Sequence, residues 1–167
     1  MRCRAYAVID QRPEGFSLVE MMVVISVVAI LALIALPTYT DKRVRDQVVE
    51  ALPLADIAKP PVSAAWVLGQ PLPADNAAAG LPAADKIVSS LVSSVTMQDG
   101  AIHIRFGNQA NTLLRGKTLT LRPAVVQDAP VVPISWICGK APTPDKMTVK
   151  GTDRTDVPGA FLPLRCR

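Results

Sequence analysis

Residues 1–15 are polar and charged with no apolar core of their own, and then the pattern changes abruptly. From residue 16 to 39 the chain is almost wholly apolar, interrupted early by one carboxylate, Glu20, and residues 21–36 carry no charge at all. At about 1.5 Å of rise per residue, that run is long enough to cross a bilayer as a helix. It is apolar on every side, so its expected neighbours are lipid or other helices rather than the core of a small domain.

Past residue 39 the period sharpens. Val44, Val48 and Leu52 recur at four-residue spacing, with Lys42, Arg43, Arg45, Asp46 and Glu50 between them. This is an amphipathic helix with one face reserved for a globular partner. Pro53, Pro60 and Pro61 each remove a helix donor and predict a kink or an end. The expected element over 16–68 is a helix to about residue 52, kinked near Pro37, with a further helical piece to about residue 68.

Residues 69–82 are rich in Pro, Ala and Gly and read as a loop. Then 86–97 and 101–106 form short β-like runs separated by Gln98, Asp99 and Gly100, a strong hairpin signal. Within the second run Ile102, Ile104 and Phe106 face one way, while His103 and Arg105 face the other, expected to be exposed. Two further strands are predicted over 118–126 and 134–138. The whole predicts an α+β fold in which a four-stranded antiparallel sheet packs on the amphipathic part of the helix. The globular head then spans 69–167.

Composition narrows the picture. A chain of 167 residues holds one ordinary domain beyond the apolar segment, and at 4% aromatic content its core must come from Val, Ile, Leu and Ala. The net charge of +4 would fall to +3 without residues 1–15, a mild balance that permits anionic partners without demanding them. Of the three cysteines, Cys3 lies before the apolar run, leaving Cys138 and Cys166 near the C-terminus. Such a pair suits an oxidising compartment; two separate reduced thiols is the alternative.

Little points to an enzyme. His103 is the only histidine and has no second metal ligand spaced with it. Asp145, Asp153 and Asp156 lack the dense oxygen spacing of a calcium loop and read as solvated loop acids. No phosphate-binding loop is present. The apolar run also ends poorly for a secretory signal: Leu36, Pro37, Thr38 and Tyr39 are not a small-x-small cleavage site. A plain anchor remains possible by length, but it would not need an acid near its start. Arg2, Arg4 and Arg12 before the run balance Lys42, Arg43 and Arg45 after it, so charge alone leaves the orientation open.

The acid is the informative residue. A carboxylate inside hydrocarbon costs about 3 kcal/mol on insertion scales. Its place near a helix N-terminus recovers only about 0.3–1 kcal/mol from the helix dipole. A cation is needed to close the gap.

The string Glu14, Gly15, Phe16, Ser17, Leu18, Val19, Glu20, followed by the apolar run and Pro37, resembles the class III leader of type IV prepilins. The resemblance implies cleavage after Gly15 by a membrane peptidase that also methylates the new N-terminal Phe16. It implies that Glu20 is the assembly residue and that Pro37 interrupts the long helix. Cleavage supplies the missing cation: the Phe16 amine of a neighbouring subunit would pair with Glu20 and set the stagger between helices, the alternative being a bond to its own amine. Residues 73–81, 106–110, 116–121, 135–138 and 162–167 look like pieces of a type IVa major-pilin head. Pro53, Pro60, Pro61, Arg122 and residues 125–133 depart from that pattern.

On this resemblance 1–15 is a removable leader, 16–39 the membrane and assembly segment, and 138–166 a loop closed by a disulfide. The closure would contribute about 3–4 kcal/mol in the chain-entropy model. The loop itself, with Pro142, Pro144, Pro158 and Pro163, is expected to have few contacts of its own. The implied partners are further copies of the chain in a helical homopolymer, the prepilin peptidase/methyltransferase, the inner membrane, and an assembly platform driven by a separate ATPase. The implied locations are the inner membrane before assembly, N-terminus cytoplasmic and head periplasmic, and an extracellular pilus afterwards, serving adhesion, twitching motility and DNA uptake. Minor pilins and type II secretion pseudopilins share the leader and are the alternatives. Lys140, Lys146, Lys150, Arg154, Arg165 and Arg167, repeated on every subunit, would offer a positive surface to anionic surfaces or DNA. No cofactor is expected.

Overall fold

The computed structural model describes residues 15–167; the residues before Gly15, with Cys3 and the rest of the expected leader among them, lie outside the described residues. The chain divides into two compact units, one ending at Thr38 and one spanning Tyr39–Arg167. Helix α1, Leu18–Ala51, begins in the first unit and ends in the second.

In the second unit, Pro53 cannot donate to the helix ladder. The α-helix gives way there to a 3-10 segment, Leu52–Ala58, and resumes as α2, Lys59–Val67. Pro60 and Pro61 fall in the first turn of α2, where backbone N–H groups have no helical partner and proline is tolerated. The change of helix type does not break the buried stripe: Val44, Val48, Ala51, Leu52, Ala55, Ala58 and Val62 all face the core. Three of these are alanines, which allow the backbone close to the sheet.

The sheet runs β1-β2-β3-β4, all antiparallel: β1 is Val92–Gln98, β2 Ala101–Phe106, β3 Thr118–Val125 and β4 Ser135–Cys138. Asp99 and Gly100 both adopt positive φ, 48° and 79°, the conformation of a two-residue type I′ turn, and Gln98 pairs with Ala101. A short fifth strand, β5 (Thr148–Val149), pairs with Ala124 and Val125 at the far end of β3. Since Ala124 already pairs with Ser135 of β4, β5 occupies the same side of β3 as β2.

Alternation sorts the side chains. Val95, Met97, Ile102, Ile104, Phe106, Leu119 and Leu121 join the helical stripe in one continuous core. The opposite face carries Ser94, Thr96, His103, Arg105, Thr118 and Thr120, which meet as cross-strand neighbours. Here one expectation fails. His103 is buried, at 5% exposure, not solvated. The cause is the chain beyond β5, which returns across this face and bonds to it: the N–H of Arg154 donates to Thr120 Oγ1 at 3.0 Å, and the N–H of Thr120 donates to Thr155 Oγ1 at 3.1 Å.

The same return corrects two further expectations. The C-terminal loop does have contacts of its own: Val157 and Leu162 are buried in the core, and the Lys150 and Asp156 N–H groups donate to Pro123 and Thr118 carbonyls. Asp153 and Asp156 are structural rather than merely solvated. Asp156 Oδ1 accepts from the Thr118 N–H, and Asp153 Oδ1 accepts from the Thr155 N–H at 2.9 Å.

Candidate functional site

In the first unit the candidate residues lie together at the start of α1. Gly15, Phe16 and Ser17 are exposed and non-helical, and the helix begins at Leu18. The peptide bond between Gly15 and Phe16 thus lies in exposed chain outside the helix. Glu20 sits in the first turn of α1, where the unpaired N–H groups favour a negative charge. Among the described residues no ion pair or hydrogen bond engages its side chain.

The surface around it is apolar in every direction. Phe16, Leu18, Val19, Met22, Val23, Ile25, Val28, Ile30, Leu31, Leu33 and Ile34 are all exposed, Leu18 at 75% and Leu33 at 73%. A monomer in water would leave this surface hydrated, each side chain forgoing about 1.5–3 kcal/mol of burial. Ser26 is the one polar side chain in this stretch after Glu20, and it bonds back to the Met22 carbonyl at 2.7 Å. The segment therefore exposes no other strong polar group to lipid or to a neighbour. Helix α1 is long and apolar enough to cross a membrane. Pro37 lies inside α1.

In the second unit Cys138, at the end of β4, is bonded to Cys166, with Cα atoms 4.5 Å apart. Both are buried. The bridge does not act alone. The N–H of Lys140 donates to the Cys166 carbonyl at 3.1 Å, and Gly139, at φ +58°, lets that carbonyl approach so closely that a Cβ would lie 2.7 Å from it. Arg122, read from sequence only as a departure from the pattern, donates to the Gly139 carbonyl at 3.1 Å and lies 4.0 Å from Asp153.

Four positions that fix the head gave no sequence signal. Arg45, on α1, donates to the Ala160 carbonyl at 2.9 Å, across 115 positions of sequence, and Arg167 donates to the Ala160 and Leu162 carbonyls. Gln47 Oε1 accepts from the Asn111 N–H at 2.9 Å. Asn76, in the loop before β1, is buried and fully paired: its amide donates to the Pro82 and Val95 carbonyls, both at 3.0 Å, and its carbonyl accepts from the Met97 N–H at 2.6 Å. It occupies the free edge of β1 and closes it to further strand pairing.

The family model described as "Pilin (bacterial filament)" matches residues 44–167, and the "Prokaryotic N-terminal methylation motif" matches residues 11–36. The chain is similar to a fimbrial protein of Neisseria meningitidis serogroup B, 34% identical over 163 residues, covering 92% of this chain and 94% of that one. It is also 34% identical over 160 residues to the type IV major pilin protein PilE of Neisseria gonorrhoeae, covering 92% and 93% of the two chains. With the fimbrial protein EcpC of Eikenella corrodens the identity is 38% over 133 residues, or 78% and 84% of the two chains.

Proposed function

The chain belongs to the pilin family of bacterial filament subunits, and on that premise we propose that it is cut after Gly15, methylated at Phe16 and polymerised through residues 16–39. Its role is structural: a subunit of a type IV pilus. The observation that carries the assembly reading is an exposed, all-round apolar helix bearing one carboxylate, Glu20, in its first turn, without a partner among the described residues.

Two environments satisfy such a surface. In lipid the helix is a stored monomer, with the N-terminus on the cytoplasmic side and the head in the periplasm. In the filament the same side chains pack on neighbouring helices, and the charged amine created at Phe16 by cleavage pairs with Glu20 of the adjacent subunit. The pair neutralises two charges that would each be costly alone, and it fixes the axial stagger. Pro37 is where the helix accommodates the curvature that packing demands. Extraction from lipid exposes apolar area, so it requires an external motor acting through a membrane platform. Adhesion, twitching motility and DNA uptake are functions of the assembled fibre.

The near full-length similarity to a type IV major pilin disfavours both alternatives, and the C-terminal cysteine pair counts further against a pseudopilin. The test is mass spectrometry of sheared surface filaments together with a Glu20→Ala strain. The expected wild-type mass begins at a methylated Phe16, and the variant should insert and be processed yet incorporate poorly. Filaments built from chains that retain Gly15, or normal piliation by the variant, would refute the reading.

A further inference from the structure

The outer face of the sheet carries a polar cleft of about 180 Å³ lined by Ser94, Thr96, His103, Arg105, Thr118 and Arg154. We propose that this cleft binds a tetrahedral oxyanion, a phosphate or sulfate group, with Arg105 and Arg154 as its charged walls and His103 as its floor. The site belongs to the head alone and stands whether or not the chain polymerises.

The charges come first. Arg105 and Arg154 are exposed and line one cleft, and neither makes an ion pair within 4.0 Å among the described residues. Two guanidinium groups brought to one cleft by β2 and by the returning loop repel each other, and an anion between them removes the repulsion. The neighbouring acid, Asp153, accepts from the Thr155 N–H and lies 4.0 Å from Arg122; its charge reaches His103 but pairs with neither cleft arginine.

The floor is a buried imidazole. His103 Nδ1 lies 2.9 Å from Thr120 Oγ1, while His103 Nε2 has no partner among the described residues and almost no accessible surface. Thr120 Oγ1 already accepts the Arg154 N–H, and Thr120 is fully buried. Its hydroxyl hydrogen therefore needs an acceptor, and Nδ1 is the one within reach. That places the imidazole proton on Nε2. The imidazole is thus held beneath the cleft as a fixed neighbour of its occupant, and the ligating donors are those of the rim.

Ser94, Thr96 and Thr118 add hydroxyls around the rim. Two guanidinium forks and three hydroxyls offer more donors than the two oxygens of a carboxylate can take up. A phosphate or sulfate monoester, with three terminal oxygens, matches them better.

The test exploits the single histidine of the chain. Ring-nitrogen NMR of the full chain, 15N-labelled at histidine and held in detergent, is followed while sodium sulfate replaces sodium chloride at constant ionic strength. A saturable shift of the His103 signals is expected. Arg105→Gln and Arg154→Gln should each weaken it about tenfold, the effect of losing one charge-assisted hydrogen bond. Both side chains are exposed, and an unchanged backbone spectrum with an intact disulfide confirms the fold. Sulfate keeps its charge as pH falls, so its affinity should rise as His103 takes a second proton. A shift reproduced by chloride, one that never saturates, or one unchanged in the double variant overturns the proposal. Inorganic phosphate, glucose 6-phosphate and phosphatidic acid vesicles then separate the sources: the tightest of the three assigns a free ion, a sugar ester or a lipid headgroup, and failure of all three overturns the proposal.

Discussion

Replacing Asn76 tests how the head is held together. The side chain makes three hydrogen bonds and two of its partners, Val95 and Met97, lie on the free edge of β1. In Asn76→Ala the Pro82 and Val95 carbonyls and the Met97 N–H lose their partners together. At about 1 kcal/mol for each bond, with some relief from entering water, the loss is about 3 kcal/mol. That is a large share of the roughly 5–15 kcal/mol by which a domain is stable. For a head of this size it corresponds to a fall in Tm of about 10 °C.

Asn76→Asp separates hydrogen bonding from loop packing. The carboxylate still accepts from Met97 but confronts the Pro82 and Val95 carbonyls with an oxygen in place of a donor, so near neutral pH it should be at least as damaging as alanine. Burial among acceptors raises the pKa of the introduced acid above the usual aspartate range. As pH falls through that raised value the acid gains an O–H, one donor is restored, and the gap to wild type narrows. No such narrowing is expected for Asn76→Ala. Thermal unfolding followed by the near-ultraviolet signal of Trp66 and Trp136 provides the assay. An alanine variant within about 2 °C of wild type, or an aspartate variant whose deficit ignores pH, would refute the reasoning.

Cys138→Ser should cost about 3–4 kcal/mol, but Val157, Leu162 and the Arg45 contact keep the loop docked, so the variant should unfold cooperatively at lower temperature rather than lose its fold. Gly139→Ala combines a strained φ with a 2.7 Å approach to the Cys166 carbonyl and should lower stability by about 2 kcal/mol, measurable by denaturant titration. Burial, aided by the Arg154 charge and opposed by Asp153, holds the His103 pKa below its ordinary 6.5. The unfolded chain therefore takes up the proton first, and the stability His103 confers in its neutral form is present above 6.5 and lost as pH falls from there through the folded value. His103→Gln should remove that part of the acid sensitivity, seen as a smaller drop in Tm between about pH 7.5 and 5.5.

What the sequence made legible was what is local. The Asp99 and Gly100 turn, the alternation of Ile102, Ile104 and Phe106, and the spacing of Val44, Val48 and Leu52 each reside in a few neighbouring positions, and each reappears in the fold. His103 misled because alternation assigns a residue to a face and says nothing of what covers that face. Its cover comes from Arg154 and Thr155, more than fifty positions later, in a loop with no period to reveal its path. Arg45, Arg122 and Asn76 were opaque for the same reason, since a basic helix residue or a loop asparagine looks alike whether solvated or paired.

The two halves of the chain face opposite physical demands, and that division explains where the polar groups went. In the head, the buried polar groups Asn76, Thr120 and His103 are drawn into directional bonds that hold one arrangement of loop on sheet. The apolar segment has almost no such bonds, and its side chains are exposed. A surface with many directional contacts fits one partner, whereas a surface of aliphatic side chains is equally satisfied by lipid and by other helices, so it can pass between them. Specificity must then come from somewhere else in that segment. On the proposed assembly, Glu20 is the position there whose interaction differs between a bilayer and a bundle, because only in the bundle would another subunit's cleaved N-terminus come within reach.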